Sequence, residues 1–148
     1  MSVRWAFMET FRVPSFDDPE VDYLTRLRIV QTPWAAIYLH RIGTPDSRPT
    51  LHDHPWNFVA VVLRGGYREC RDYSGIAHVI RRVNVKRATD LHWIDSLDRT
   101  PTWTLVFTGR RKREWGYVDP DGTWNHFTQH PHADEFDAAM AARSAADS

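Results

Sequence analysis

Apolar and polar residues alternate with a period of two through most of this chain, the pattern of strands rather than helices. Tyr23, Thr25, Leu27 and Ile29 alternate with Leu24, Arg26 and Arg28, which predicts a strand from about residue 23. Thr32-Pro33-Trp34 breaks it, and residues 36–42 predict the next strand, followed by a loop over 43–49 that holds Pro45, Asp46 and Pro49. A further strand starts at His52-Asp53-His54-Pro55-Trp56 and runs to Arg64. Val59, Val61 and Leu63 make its second face apolar too, so it is expected to be covered on both sides or to lie at a subunit contact. Gly65-Gly66 reads as a two-residue hairpin turn returning the chain to about Tyr73. Residues 76–85 read as strand, 91–94 as a short strand, and 103–107 as a strand in a hairpin with 114–118. Residues 1–18 read as irregular, anchored by Trp5, Phe7, Phe11 and Phe16, and only 134–146 reads as helix. Eight or so short strands separated by turns predict an all-β sandwich or barrel.

Composition narrows the picture. The 148 residues suffice for a sizeable core and are expected to form one domain, 1–148. Its core is expected over about 23–118, with an N-terminal arm over 1–22 and a tail with a helix over about 134–146. Lys and Arg total 19, as do Asp and Glu, so no basic footprint for nucleic acid is present. The one basic run, Arg110-Arg111-Lys112-Arg113, reads as a solvated hairpin tip. The single cysteine, Cys70, excludes an internal disulfide and fits a reducing compartment. The N-terminus lacks the pattern of a signal peptide and no apolar run approaches ~18 residues, so a cytoplasmic protein without a membrane segment is expected. Seven tryptophans recur near turns and strand ends, where indoles cap a sandwich core.

The candidate chemistry is carried by histidines. His52 and His54, two apart on a strand, project to one face roughly 7 Å apart and can converge on one ion. Asp53 between them should point the other way, to the surface or to a loop cap. His92 is a third histidine of interest, on a later strand. His40 reads as a core or rim histidine, and His126, His130 and His132 as solvated or adventitiously metal-binding. Arg82 and Arg87 bracket the approach to His92 and suit an anionic small molecule or, equally, surface salt bridges. No Ser-His-Asp arrangement, Gly-rich phosphate loop or CxxC is present.

These residues resemble the cupins, jelly-roll proteins whose first motif is G-x5-H-x-H-x3,4-E-x6-G and whose second is G-x5-P-x-G-x2-H-x3-N. His52 and His54 match the HxH, Gly65 the closing glycine, and His92 the histidine of the second motif. Phe58 stands at the glutamate position, Arg87 and Thr89 replace the Pro and Gly of the second motif, and Ser96 replaces its Asn. The resemblance therefore implies a cupin jelly-roll barrel with a three-histidine site of His52, His54 and His92. It would hold a divalent metal ion, Fe(II) favoured and Zn, Ni, Mn or Cu also suited. The implied activity is that of an Fe(II)-type dioxygenase acting on a small molecule. Two alternatives stay open: a non-catalytic ligand-binding or sensory cupin, and a metal-free isomerase or epimerase-like cupin with a histidine base partnered by a carboxylate. Tyr73 and Arg87 would orient the substrate, while Phe58 and Trp56 would dry the cavity. If Gly65-Gly66 closes a hairpin, Phe58 pairs with Tyr73, and Glu69 falls over ~13 Å deeper, too far to replace the lost carboxylate. The doubly apolar HxH strand and the edge strands suggest a homodimer.

Overall fold

The period-two alternation resolves into antiparallel strands in a computed structural model that describes residues 9–14, 22–46 and 50–129. In chain order these are β1 (Glu9–Pro14), β2 (Asp22–Gln31), β3 (Ala36–Ile42), β4 (Leu51–His52), β5 (Phe58–Arg64) and β6 (Tyr67–Cys70). There follow β7 (Ala77–Ile80), β8 (Val83–Lys86), β9 (Trp93–Leu97), β10 (Thr102–Thr108), β11 (Gly116–Val118), β12 (Trp124–His126) and a 3-10 turn at Phe127–Gln129. The helix expected over 134–146, with His130 and His132, lies outside the described residues. Residues 9–14, read as irregular, pair in register with β2. No helix among the described residues is long and apolar enough to cross a membrane.

One layer is a six-stranded sheet in the order β1-β2-β3-β10-β5-β8. The other consists of two three-stranded sheets, β12-β11-β4 and β7-β6-β9. An antiparallel bridge between His52 and His92 sews those two together, each backbone N–H donating to the other's carbonyl at 3.1 Å. The layers face each other, since Glu69 of β6 reaches Asn84 and Lys86 of β8.

Register sorts the large sheet into two unlike faces. Arg26 stands opposite His40, and His40 opposite Thr104. Tyr38, Val106, Ala60 and Asn84 form the next row, and Thr108, Phe58 and Lys86 the one after. These rows point between the layers, where Ala36, Tyr38, Ala60 and Val106 pack with Phe58 as a small apolar core. The other face carries Leu39, Leu105, Val61 and Val83 in one row and Ile37, Phe107, Val59 and Val85 in the next. Val83, Val85, Phe107 and the nearby Leu63 are exposed. The outer face is thus apolar along these two rows, while the inner face mixes polar side chains with a small apolar core.

Several expected connections change. Gly65-Gly66 does not close a hairpin: β5 is flanked by β10 and β8, β6 by β7 and β9, and the glycines carry the chain from one layer to the other. Both have positive φ, and a Cβ on Gly65 would lie 2.6 Å from Oγ1 of the fully buried Thr102, so this crossing suits glycine alone. Likewise β10 and β11 sit in different sheets rather than forming a hairpin. The strand expected over 76–85 divides into β7 and β8, which join opposite layers. A long reach in sequence separates most partners, and a local pattern carries no information about which strand a ladder will join.

Asp53 is not at the surface. It is buried and accepts hydrogen bonds from the Gly116 backbone at 2.7 Å, from Trp124 Nε1 at 3.0 Å and from Arg113. It therefore fastens the segment between His52 and His54 onto β11 and β12, and it takes Arg113 out of the expected solvated tip. Asp53→Ala leaves those donors unmatched and should lower stability by about 3 kcal/mol. Urea unfolding of the two proteins measures the difference.

Candidate functional site

The bridge that joins the two small sheets sets His52 and His92 side by side, ring centroids 4.8 Å apart. The chain then turns at Pro55-Trp56, and the His54 N–H donates to Ala88 O at 3.0 Å. The His54 ring lies 5.2 Å from that of His52 and 4.9 Å from that of His92. One ring nitrogen from each of the three lies within 4.8 Å of the others. Nitrogens sharing a tetrahedral ion at about 2.0–2.1 Å sit ~3.3 Å apart, and His54 Nε2 to His92 Nε2 is 3.3 Å. The donor set fits a divalent ion.

Electrostatics keep His52 and His54 neutral. Burial lowers His52 to about 4, with the nearby His92 adding to the effect. Burial, then His52 and His92, hold His54 well below the ordinary imidazole range. Neutral imidazoles are the form that binds metal. His92 is oriented from behind, where its Nδ1 lies 2.8 Å from Oε2 of Glu69 and must donate to it. That fixes the tautomer and turns Nε2 toward His54.

Glu69 is the residue that sequence reasoning misplaced. It is fully buried, and besides His92 it meets Lys86 Nζ at 2.6 Å, Asn84 Nδ2 at 2.8 Å and Arg71 Nε at 2.9 Å. Burial alone would raise its carboxyl, but hydrogen bonds from His92 and Lys86 and their charges hold it well below the usual range. It lies directly behind His92, within hydrogen-bond reach of the cluster, because β6 pairs with β9 and not with β5. All this saturation leaves it supporting a ring rather than facing the cavity.

A cavity of about 150 Å³ opens on the three histidines. Trp56 and Phe58 line it, and Phe58 packs edge-on to His54 with centroids 4.8 Å apart. Tyr73 and Arg87 do not line it. Tyr73 packs on Trp93, accepts from the Leu51 N–H at 3.2 Å and donates to Val118 O at 2.6 Å, on the opposite side of the second layer. That position follows from the lost hairpin, since Tyr73 has no partner on β5. Arg87 is exposed at the bend before His92, and Arg82 is exposed as well. Cys70 is buried with Leu51 and Trp93. His126 hydrogen-bonds Glu114 at 3.1 Å and Thr128 at 2.6 Å and does not line the cavity. Lining residues that the sequence did not single out include Arg26, Tyr23 and Asp46, with Tyr23 donating to Asp46. The alternation of Val83 and Val85 with Asn84 and Lys86 was the available signal for a polar interior.

No known protein family and no curated protein matches the sequence. Solved structures do match. The polyketide cyclase RemF from Streptomyces resistomycificus aligns with TM-score 0.58 and 15% identity, over 92% of this chain and 97% of its own. A putative mannose-6-phosphate isomerase from Ralstonia eutropha aligns with TM-score 0.53 and 14% identity, over 59% and 84%. The Fe(II) form of HppE aligns with TM-score 0.55 and 13% identity, over 74% and 60%. A double-stranded β-helix domain from Klebsiella pneumoniae also aligns, with TM-score 0.51 and 11% identity, over 64% of this chain and 83% of its own. The chain has a cupin-type fold. In this cupin-type barrel the cavity lies between the two layers, with the histidine bridge as part of its wall.

Stability of the barrel should fall with acid. His40, lowered to about 3 chiefly by burial, and His52, lowered to about 4, are neutral when folded but take up protons on unfolding. Their contribution is full above the unfolded pKa of about 6.5 and declines as pH falls toward 4, by up to ~1.4 kcal/mol per pH unit for each. Urea unfolding at intervals from pH 7 to pH 4 measures this slope, and His40→Phe should flatten it.

Proposed function

We propose that this chain is a metal-dependent enzyme acting on a small molecule, with one divalent ion held by His52, His54 and His92. The convergence of three histidine ring nitrogens at the cavity wall carries the reading. Fe(II) is the favoured ion and dioxygenase chemistry the favoured reaction, supported by the likeness in fold to the Fe(II) form of HppE; Zn, Ni, Mn and Cu also suit imidazole. When bound, Fe(II) supplies open coordination positions and the electrons for oxygen chemistry. Glu69 holds the His92 ring with its Nδ1 proton, while Phe58 and Trp56 exclude water from the histidines. The buried free thiol of Cys70 favours a cytoplasmic setting.

One observation supports a second reading, metal-free acid–base catalysis of an isomerase or epimerase type. Glu69 and His92 form a carboxylate–imidazole pair, the arrangement that orients a histidine base. Elemental analysis after anaerobic Fe(II) loading separates the two. About one iron per chain is expected, lost in His54→Ala and in His92→Ala, with affinity about 10–100-fold weaker in Glu69→Gln. Folded protein that takes up no metal would favour the second reading.

The apolar outer face of the six-stranded sheet supports a homodimer. Two neighbouring rows from β3 to β8 carry eight apolar side chains and no charge, and such a face complements only another apolar surface. With a formal net charge of zero, two copies have no overall repulsion to overcome. A second copy stacked sheet to sheet is the occupant we infer. Light scattering after gel filtration should give the mass of a dimer for the natural chain and of a monomer for Val85→Glu.

A further inference from the structure

Resting on the reading of this cavity as a substrate site, we propose that Arg26 is the seat of a carboxylate on the substrate. The three histidines form one part of the cavity wall, and Arg26 with Tyr38 and His40 forms another. Arg26 Nε donates to His40 Nε2 at 3.0 Å, and its guanidinium lies over the Tyr38 ring, 5.0 Å from the centroid. The two contacts fix the plane of the guanidinium and leave its terminal NH2 groups for something else.

Nothing in the described residues supplies that partner. Lys86 and Arg71 meet Glu69, and Arg113 meets Asp53. No carboxylate among the described residues forms an ion pair with Arg26. Its surroundings are Tyr23, Tyr38, the accepting His40 and a second cation, Arg28, while burial lowers its pKa. A partly buried guanidinium without a counter-charge is unfavourable, and a ligand carboxylate that arrives as its partner relieves that cost. The planar fork of two terminal N–H groups matches a carboxylate in two parallel hydrogen bonds. Ala60, Val106 and Phe58 supply apolar wall in the same cavity, which suits a short hydrocarbon body. A volume of about 150 Å³ limits that body to a small acid. The cation that selects an anionic substrate is therefore Arg26 inside the barrel, and not the exposed Arg82 or Arg87.

Calorimetric titration with butyrate, its neutral counterpart butyramide and inorganic phosphate tests this on the full chain, with and without loaded metal. Butyrate is expected to bind and butyramide to bind at least about tenfold more weakly. Arg26→Gln should weaken butyrate by about tenfold or more, and Arg26→Lys, which keeps the charge but not the fork, should fall between. Arg87→Gln should retain butyrate binding, because that exposed arginine does not line the cavity. Butyrate binding that is absent in the natural chain, unchanged in Arg26→Gln, or lost in Arg87→Gln would overturn the assignment. So would phosphate binding more tightly than butyrate. Arg26-dependent butyrate binding to protein that takes up no metal would uphold this subsite while removing the metal reading.

Discussion

The site and the second layer of the barrel depend on one pair of backbone hydrogen bonds. His52 and His92 exchange N–H and carbonyl groups at 3.1 Å each, and this is the bridge between the β12-β11-β4 and β7-β6-β9 sheets. Because β4 is only two residues long, its position is set by this bridge, by β11 on its other side and by the contacts around it. Tyr73 ties Leu51 to Val118 behind the bridge, and Asp53 ties the next residue to β11 and β12. The side chains of His52 and His92 therefore sit on the seam itself, with their backbones locked by the bridge. A side chain whose backbone is fixed in this way loses little further freedom on binding an ion.

A second constraint is the inversion of the large sheet. Its inner face carries Arg26, His40, Thr104, Asn84 and Lys86, and its outer face valine, leucine, isoleucine and phenylalanine. Glu69 supplies the buried counter-charge for Lys86, with His92 and Asn84 completing its shell. The apolar core inside the barrel is correspondingly small. The same arrangement leaves a cavity lined by polar side chains inside and an apolar face outside.

Much of the all-β architecture was legible from period two alone. Residues 23–29 and 36–42 fall within β2 and β3 as expected, and 103–107 within β10. The HxH spacing and the later His92 also identified three histidines that the fold brings within 4.8 Å. Both faces of β5 are apolar in sequence, and the structure has one facing the cavity and the other outward. What failed were inferences that needed a pairing partner. Tyr73 was placed beside the histidines, and Glu69 far from them, through a hairpin that Gly65-Gly66 does not make.

What the sequence determined by itself was local: strand periodicity, the two-residue spacing of His52 and His54, and the lack of a glutamate at Phe58. Each depends on neighbours a few residues apart, and the geometry of an extended chain enforces them. Tertiary structure alone decided that Glu69 stands behind His92, 23 residues away, and that Arg26 is held by His40, 14 residues away. It also decided that His54 reaches His92 across 38 residues. The reason is physical: a strand's hydrogen-bonding edge accepts any backbone, so partner choice follows from how the whole chain buries its apolar faces and pairs its charges.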